Sequence, residues 1–84
     1  MVKAFVLVST NVGKENKVLE KIRNVDGVEE AHALWGVYDL MVTLKANSFD
    51  RIKEIIKSGL SQLAGVSNVL TLLIVESSQI PIGD

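Results

Sequence analysis

The chain has 84 residues, of which 48% are hydrophobic, and its nine basic and ten acidic side chains leave a formal net charge of -1. A nucleic-acid domain usually carries a clear basic excess, so this balance argues against direct nucleic-acid binding. The sequence contains no cysteine, which excludes disulfides, thiolate metal ligands and cysteine nucleophiles.

The first third of the chain predicts a strand followed by a helix. Residues 2–9 read VKAFVLVS, a short run rich in β-branched and aromatic residues that is typical of a strand. Within residues 14–25 the apolar side chains recur at helical spacing, with charged side chains between them, which indicates an amphipathic surface helix. Asp26 and Gly27 end this pattern.

Two further strands are predicted around Gly36. Residues 28–35 and 37–44 are both strand-like, and only this glycine separates them. A connection so short predicts an antiparallel hairpin.

The last third of the chain repeats the helix and strand. Ser48 is a candidate N-cap, and apolar residues from Phe49 to Leu60 mark a second amphipathic helix, with Gly59 near its end or tolerated inside it. Residues 66–76 read VSNVLTLLIVE and predict the final strand. The segment 77–84, with its proline and glycine, is expected to be a C-terminal tail.

This order of elements predicts one α+β domain over residues 1–84 with the ferredoxin-like βαββαβ arrangement. In that arrangement a four-stranded antiparallel sheet carries two helices on one face. Both faces of the first and last predicted strands are apolar, as Val6 and Phe5 illustrate on adjacent positions. Because two helices cover only one face, we expect the other face to form a homodimer.

Few side chains suggest catalytic chemistry. His32 is the single histidine and its strand neighbours are apolar, so a structural or surface role is favoured over catalysis. Gly13 precedes a helix, but the further glycines and the lysine of a phosphate-binding loop are missing. We expect no cofactor and no metal site. For Tyr38 and Asp39 two interpretations stay open, a hairpin aromatic with a capping carboxylate or part of a ligand site.

The sequence around the hairpin resembles the effector-binding RAM domain of the Lrp/AsnC transcriptional regulator family. The resemblance covers nearly the whole chain and rests on these segments in this order: Gly27-Val28-Glu29-Glu30-Ala31, Gly36-x-Tyr38-Asp39-Leu40, Leu63-x-Gly65-Val66, and Thr71. Family members usually carry an N-terminal helix-turn-helix domain, and this chain is expected to be a stand-alone RAM protein.

The resemblance implies dimers whose sheets pack face to face as an α/β barrel, further assembly of dimers, and amino acids bound between them. It places Gly36, Tyr38 and Asp39 on the ligand-contacting hairpin, and Thr71 matches the second threonine of the family's Gly-Val-x-x-Thr-x-Thr segment. Val69 stands where that segment has its first threonine. Asp39 would accept from the ammonium group of the ligand, and Gly36 would offer its N–H to the carboxylate.

We therefore expect a non-enzymatic, oligomeric module that senses amino acids and modulates a partner such as a full-length Lrp/AsnC-type regulator. A small dimeric α/β-barrel enzyme, of monooxygenase or isomerase type, is an alternative, and only His32 and Tyr38 offer it polar groups. An ACT-like allosteric module is a further alternative. No apolar run approaches the roughly 20 residues of a membrane span and no secretory signal pattern is present, so a cytoplasmic location is expected.

Overall fold

The structure is a computed structural model that describes residues 1–73, with Leu73 described through its backbone only. The elements are β1 Val2–Thr10, α1 Glu15–Ile22, β2 Val28–Ala33, β3 Leu40–Ala46, α2 Phe49–Glu54, a π-helical segment Ile55–Leu60 and β4 Val66–Leu73. The strands form one antiparallel sheet in the order β2-β3-β1-β4. The predicted ferredoxin-like βαββαβ arrangement is confirmed.

The hydrophobic core lies between the sheet and the helices. Alternate residues of the two central strands are buried, Ala4, Val6 and Val8 in β1 and Leu40, Val42, Leu44 and Ala46 in β3, so each strand turns one side toward the helices. Both helical regions contribute to the same core, which places them on one face of the sheet. Its fully buried members include Val6, Val18, Val42, Ile52 and Leu60.

Helix α1 is shorter than the predicted range of residues 14–25. Lys14 is the N-cap and Arg23 the C-cap. Beyond the helix, the N–H groups of Asn24 and Val25 donate to carbonyls three residues earlier. This tighter turn ends the helix before Gly27, whose φ of 99° is outside the helical region.

The second helix begins as predicted and then changes from an α-helix to a π-helix. The Ser48 hydroxyl oxygen accepts a hydrogen bond from the Arg51 N–H at 3.2 Å, which confirms Ser48 as the N-cap. The N–H of Ser61 donates to the carbonyl of Ile56 at 2.8 Å, five residues earlier. Gly59 lies inside this π-helical segment, so the helical region reaches Leu60 without remaining an α-helix.

The predicted one-residue hairpin connection is wrong. Strand β2 ends at Ala33 and β3 begins at Leu40, so residues 34–39 form a loop. A single residue cannot reverse an antiparallel pair, because the tightest common hairpins need two. Trp35 and Val37 have high strand propensity, but both are fully exposed in this loop.

The second face of the sheet carries the predicted apolar surface where β1 and β4 pair. Phe5, Leu70 and Leu72 are 36%, 42% and 48% exposed, and all three point away from the helices. We call this surface the open face. The final strand is described as far as Leu73; the predicted continuation to residue 76 and the tail 77–84 lie outside the described residues.

Candidate ligand-binding site

Asp39 joins the loop 34–39 to the end of the central strand β1. Its Oδ2 accepts hydrogen bonds from the Thr10 N–H at 2.8 Å and the Thr10 hydroxyl at 3.2 Å. Its backbone N–H donates to the Val8 carbonyl at 2.9 Å, and its own carbonyl accepts from the Leu34 N–H at 2.8 Å. Asp39 is therefore a structural anchor of the loop, whatever else it binds.

A cavity of about 400 Å³ lies beside this anchor, between the loop and the start of helix α1. Its lining residues are Glu15, Leu34, Trp35, Gly36 and Asp39. Two acidic residues, one leucine and one exposed tryptophan therefore line the cavity, and a carboxylate oxygen of Glu15 also accepts a hydrogen bond from the Gly13 N–H at 3.3 Å. Such a lining suits a small ligand that carries a positive group on an apolar body.

The backbone conformation of the loop does not require a glycine at position 36. Its φ is not positive, and a Cβ atom added there would meet nothing within 4 Å. Its N–H also has no hydrogen-bond acceptor among residues 1–73. The glycine instead leaves open space and an accessible donor at the wall of the cavity.

The structure separates the remaining predicted site residues from this cavity. Tyr38 is half-buried beside Asp39 and is not among the lining residues. Thr71 lies opposite Val6 on the helix-facing side of β4, where it lines a different cavity against α2. Within one chain the structure brings together Gly36 and Asp39, but not Thr71.

The acidic side chains of Glu29 and Glu30 lie on the open face and not in the cavity. Glu29 lies 3.3 Å from the Lys3 ammonium and 3.5 Å from that of Lys45, and the hydrogen bond from Lys3 is the main cause that lowers the pKa of this carboxyl. His32 is exposed, and its Nε2 lies 3.0 Å from Glu30. Within residues 1–73, no three acidic or histidine side chains are close enough to hold a metal ion.

Sequence reasoning missed the contributions of Thr10, Glu15 and Trp35. Thr10 is 29 residues from Asp39 in the chain, and Glu15 comes from the helix after β1. One sequence feature pointed to this region: Gly13 lies two residues before Glu15, the acidic residue at the start of helix α1. Only the pairing of β1 with β3 brings Thr10 to Asp39 and the start of α1 to the cavity.

The fold and the cavity together define a small α+β ligand-binding domain. The chain belongs to the Lrp/AsnC ligand binding domain family, whose family model matches residues 3–79. No helix within residues 1–73 has the length and apolar character needed to cross a bilayer.

Among curated relatives, an HTH-type transcriptional regulator of Pyrococcus horikoshii is 29% identical over 59 residues, which are 70% of this chain and 39% of the relative. A regulator of the same type from Pyrococcus abyssi is 27% identical over the same shares. The matched part of the chain thus corresponds to about two fifths of the length of these regulators.

Solved structures share the fold closely. A hypothetical protein from Pyrococcus horikoshii is 30% identical with a TM-score of 0.82, over 94% of this chain and 96% of that chain. A transcriptional regulator of Neisseria meningitidis in complex with L-Met is 18% identical with a TM-score of 0.78, over 90% of this chain and 51% of that chain. At that identity the second likeness shows the fold alone.

Proposed function

We propose that this chain is a non-enzymatic regulatory module that binds a free amino acid in the cavity beside the loop 34–39. The observation that carries the proposal is the cavity itself, which is lined by Asp39 and Glu15, by Leu34 and Trp35, and by Gly36 with an N–H that has no acceptor within residues 1–73. These groups match the parts of an amino acid: an ammonium, a carboxylate and a side chain.

The ammonium group would lie against the carboxylates. Oδ2 of Asp39 is used by Thr10, whereas Oδ1 accepts no hydrogen bond from residues 1–73 and is available to a ligand. The Gly36 N–H would donate to the ligand carboxylate. Leu34 and Trp35 would contact the ligand side chain, because both line the same cavity.

The relatives support this class of ligand. The matched family is described as a ligand-binding domain, and the curated relatives are named transcriptional regulators. A protein of the same fold was solved with L-Met. We therefore propose an amino acid as the effector and a full-length regulator of this family as the partner whose activity the module modulates.

The open face supports a homodimer as the functional unit. Three large apolar side chains are substantially exposed there, a surface that monomers usually cover. Packing two such faces together would bury them and leave the loops 34–39 at the outside of the dimer. Within one chain Thr71 does not line the cavity beside the loop 34–39. Thr71 could therefore contribute to this site only if it came from a neighbouring copy in an assembly of dimers.

The enzyme alternative receives less support from the packing. Such an enzyme would need a polar cavity between the sheet and the helices. In the described residues this space holds the apolar core, and His32 lies on the opposite side of the sheet, opposite Met41 in the register. The arrangement therefore favours binding over catalysis.

Trp35 permits a direct test, because it is the single tryptophan and it lines the cavity. We expect its fluorescence to change on titration with one or a few of the twenty amino acids, and the same amino acids to raise the melting temperature. The Asp39→Asn variant should lose the response. Absence of any saturable response in wild type, by both methods, would contradict the proposal.

A further inference from the structure

The charged residues that line the cavity beside the loop 34–39 are both acidic. They are Glu15 and Asp39, and the other lining residues are Leu34, Trp35 and Gly36. The lining therefore has two formal negative charges and no basic side chain. A free amino acid with an uncharged side chain brings one ammonium and one carboxylate, so it supplies a single cation to a cavity with two acidic residues.

Glu15 has a carboxylate oxygen that its local contacts do not use. Its Oε1 accepts a hydrogen bond from the Gly13 N–H at 3.3 Å, and a carboxylate in the first turn also suits the positive end of the α1 dipole. Its Oε2 accepts no hydrogen bond, and the carboxylate forms no ion pair, within residues 1–73. The helix therefore explains one oxygen of this partly exposed side chain and leaves the other available to a ligand.

Asp39 and Glu15 reach the cavity from different parts of the fold. Asp39 is the last residue of the loop, and its Oδ2 is held by Thr10. Glu15 is the first residue of α1. Each carboxylate thus keeps one oxygen without a hydrogen bond from residues 1–73. A ligand with a cationic group at each end suits two such acceptors better than a ligand with one.

The two apolar side chains of the lining suit the body of the same ligand. Trp35 is fully exposed and Leu34 is 39% exposed, so both offer apolar surface that a ligand can cover. The methylene groups of a lysine or arginine pack on such surface while the charged end stays near polar groups. The face of an indole also attracts a cation, more strongly than that of other aromatic side chains.

We propose that the cavity selects basic amino acids, such as lysine and arginine, and that Glu15 determines this preference. The inference rests on the proposed function, because it specifies which amino acids the same cavity binds. Asp39 would accept from the α-ammonium group, and the free oxygen of Glu15 would accept from the cationic end of the ligand side chain. The stem of that side chain would lie along Leu34 and Trp35.

Amino acids with uncharged side chains would be disfavoured by the same residue. An apolar side chain of similar length would cover Glu15 and remove water from its carboxylate without offering a hydrogen-bond donor. Loss of that hydration costs free energy unless a cation or another donor replaces the water. Discrimination therefore comes both from the ion pair with a basic ligand and from the unpaired carboxylate that other ligands leave.

Matched pairs of ligands test the preference on the unmodified full chain. We expect lysine to bind about fivefold to twentyfold tighter than norleucine in calorimetric titration, and arginine to exceed citrulline by a similar factor. Norleucine has the lysine stem without its ammonium group, and citrulline has a neutral urea in place of the guanidinium group. Equal affinities within these pairs, or tighter binding of the uncharged members, would overturn this inference and leave the proposed function intact.

Glu15→Gln tests the residue that the inference names. It keeps an oxygen that accepts from the Gly13 N–H and removes the charge, so the ratio of lysine to norleucine affinity should fall by at least about threefold. Glu20→Gln is the matched control, because Glu20 is exposed on the same helix and does not line the cavity; it should keep the ratio of wild type. An unchanged ratio in Glu15→Gln would overturn the role of Glu15. If wild type binds none of the twenty amino acids, the proposed function itself fails, and this inference fails with it.

Discussion

Oδ2 of Asp39 accepts hydrogen bonds from both the N–H and the hydroxyl of Thr10, at 2.8 and 3.2 Å, across 29 residues of chain. The bonds hold the loop 34–39 against the end of the central strand β1. The same carboxylate lines the cavity proposed to bind an amino acid. Asp39 therefore has the capping role that its sequence suggested, and the proposed function adds a ligand contact, so substitutions must separate the two.

Replacing Asp39 should affect stability and binding differently according to the new side chain. Asp39→Asn keeps an oxygen that accepts from Thr10 but removes the charge, so we expect near-normal stability and roughly tenfold to hundredfold weaker binding. Asp39→Ala removes both and should also lower the free energy of unfolding by about 1–3 kcal/mol. Calorimetric titration and denaturant unfolding measure the two effects.

Thr10→Val is the matched control for these variants. It deletes the hydroxyl donor and keeps the backbone N–H, so it should lower stability slightly and leave ligand affinity unchanged. If Asp39→Asn binds the amino acid with the same affinity as wild type, Asp39 has a structural role only.

Substitution of Gly36 should leave the fold intact and weaken binding. A Cβ atom there meets no neighbour and the φ is not positive, so Gly36→Ala should change the free energy of unfolding by less than about 0.5 kcal/mol. The added methyl group would occupy space beside the cavity and should weaken binding of the amino acid. Melting curves and calorimetric titration test the two parts of this prediction.

Gly65→Ala provides the contrasting case. The φ of Gly65 is 98°, and its Cβ would lie 2.8 Å from Cγ2 of Val18 in the core. We expect a loss of at least about 1 kcal/mol of stability. A large destabilisation by Gly36→Ala would instead show that the loop itself requires glycine.

A lysine on the open face should disrupt the dimer. Leu70 is 42% exposed on β4, and in a face-to-face dimer Leu70→Lys would bury an unpaired charge in the apolar part of the interface. We expect wild type to elute as a dimer and Leu70→Lys as a monomer in size-exclusion chromatography with light scattering. Gln62→Lys, at an exposed position after the π-helical segment, should remain dimeric. A monomeric wild type at micromolar concentration would contradict the dimer proposal.

Protonation of Glu29 should remove a stabilising contribution at acidic pH. Hydrogen bonding and ion pairing with Lys3 and Lys45 hold the pKa of Glu29 below its ordinary value of 4.5. A lowered folded-state pKa stabilises the protein above the unfolded-state pKa, and this stabilisation is lost as the pH falls below about 4.5 through the folded-state value.

The measurement is the difference in unfolding free energy between wild type and Glu29→Gln. We expect wild type to be the more stable at pH 7, with the difference shrinking toward pH 3. Glu20→Gln is the control, because Glu20 has no ion pair within residues 1–73. A difference that does not depend on pH would show that the two lysines do not stabilise the charged form of Glu29.

The sequence by itself determined the order of the elements and the family. These features depend on local patterns: the run of β-branched and aromatic residues at 2–9, helical spacing around Val18 and Ile52, and the Ser48 cap. Local patterns predict these features because residues close in the sequence belong to the same helix or strand and pack against the same surroundings.

The tertiary structure alone decided how far the hairpin strands extend and what surrounds the site. Trp35 and Val37 have the composition of strand residues, yet the register of β3 against β1 starts the strand at Leu40 and leaves them in a loop. The same long-range pairing sets Asp39 beside Thr10 and Glu15, and it turns Thr71 toward α2 instead. Such contacts depend on register between distant segments, which no local spacing specifies.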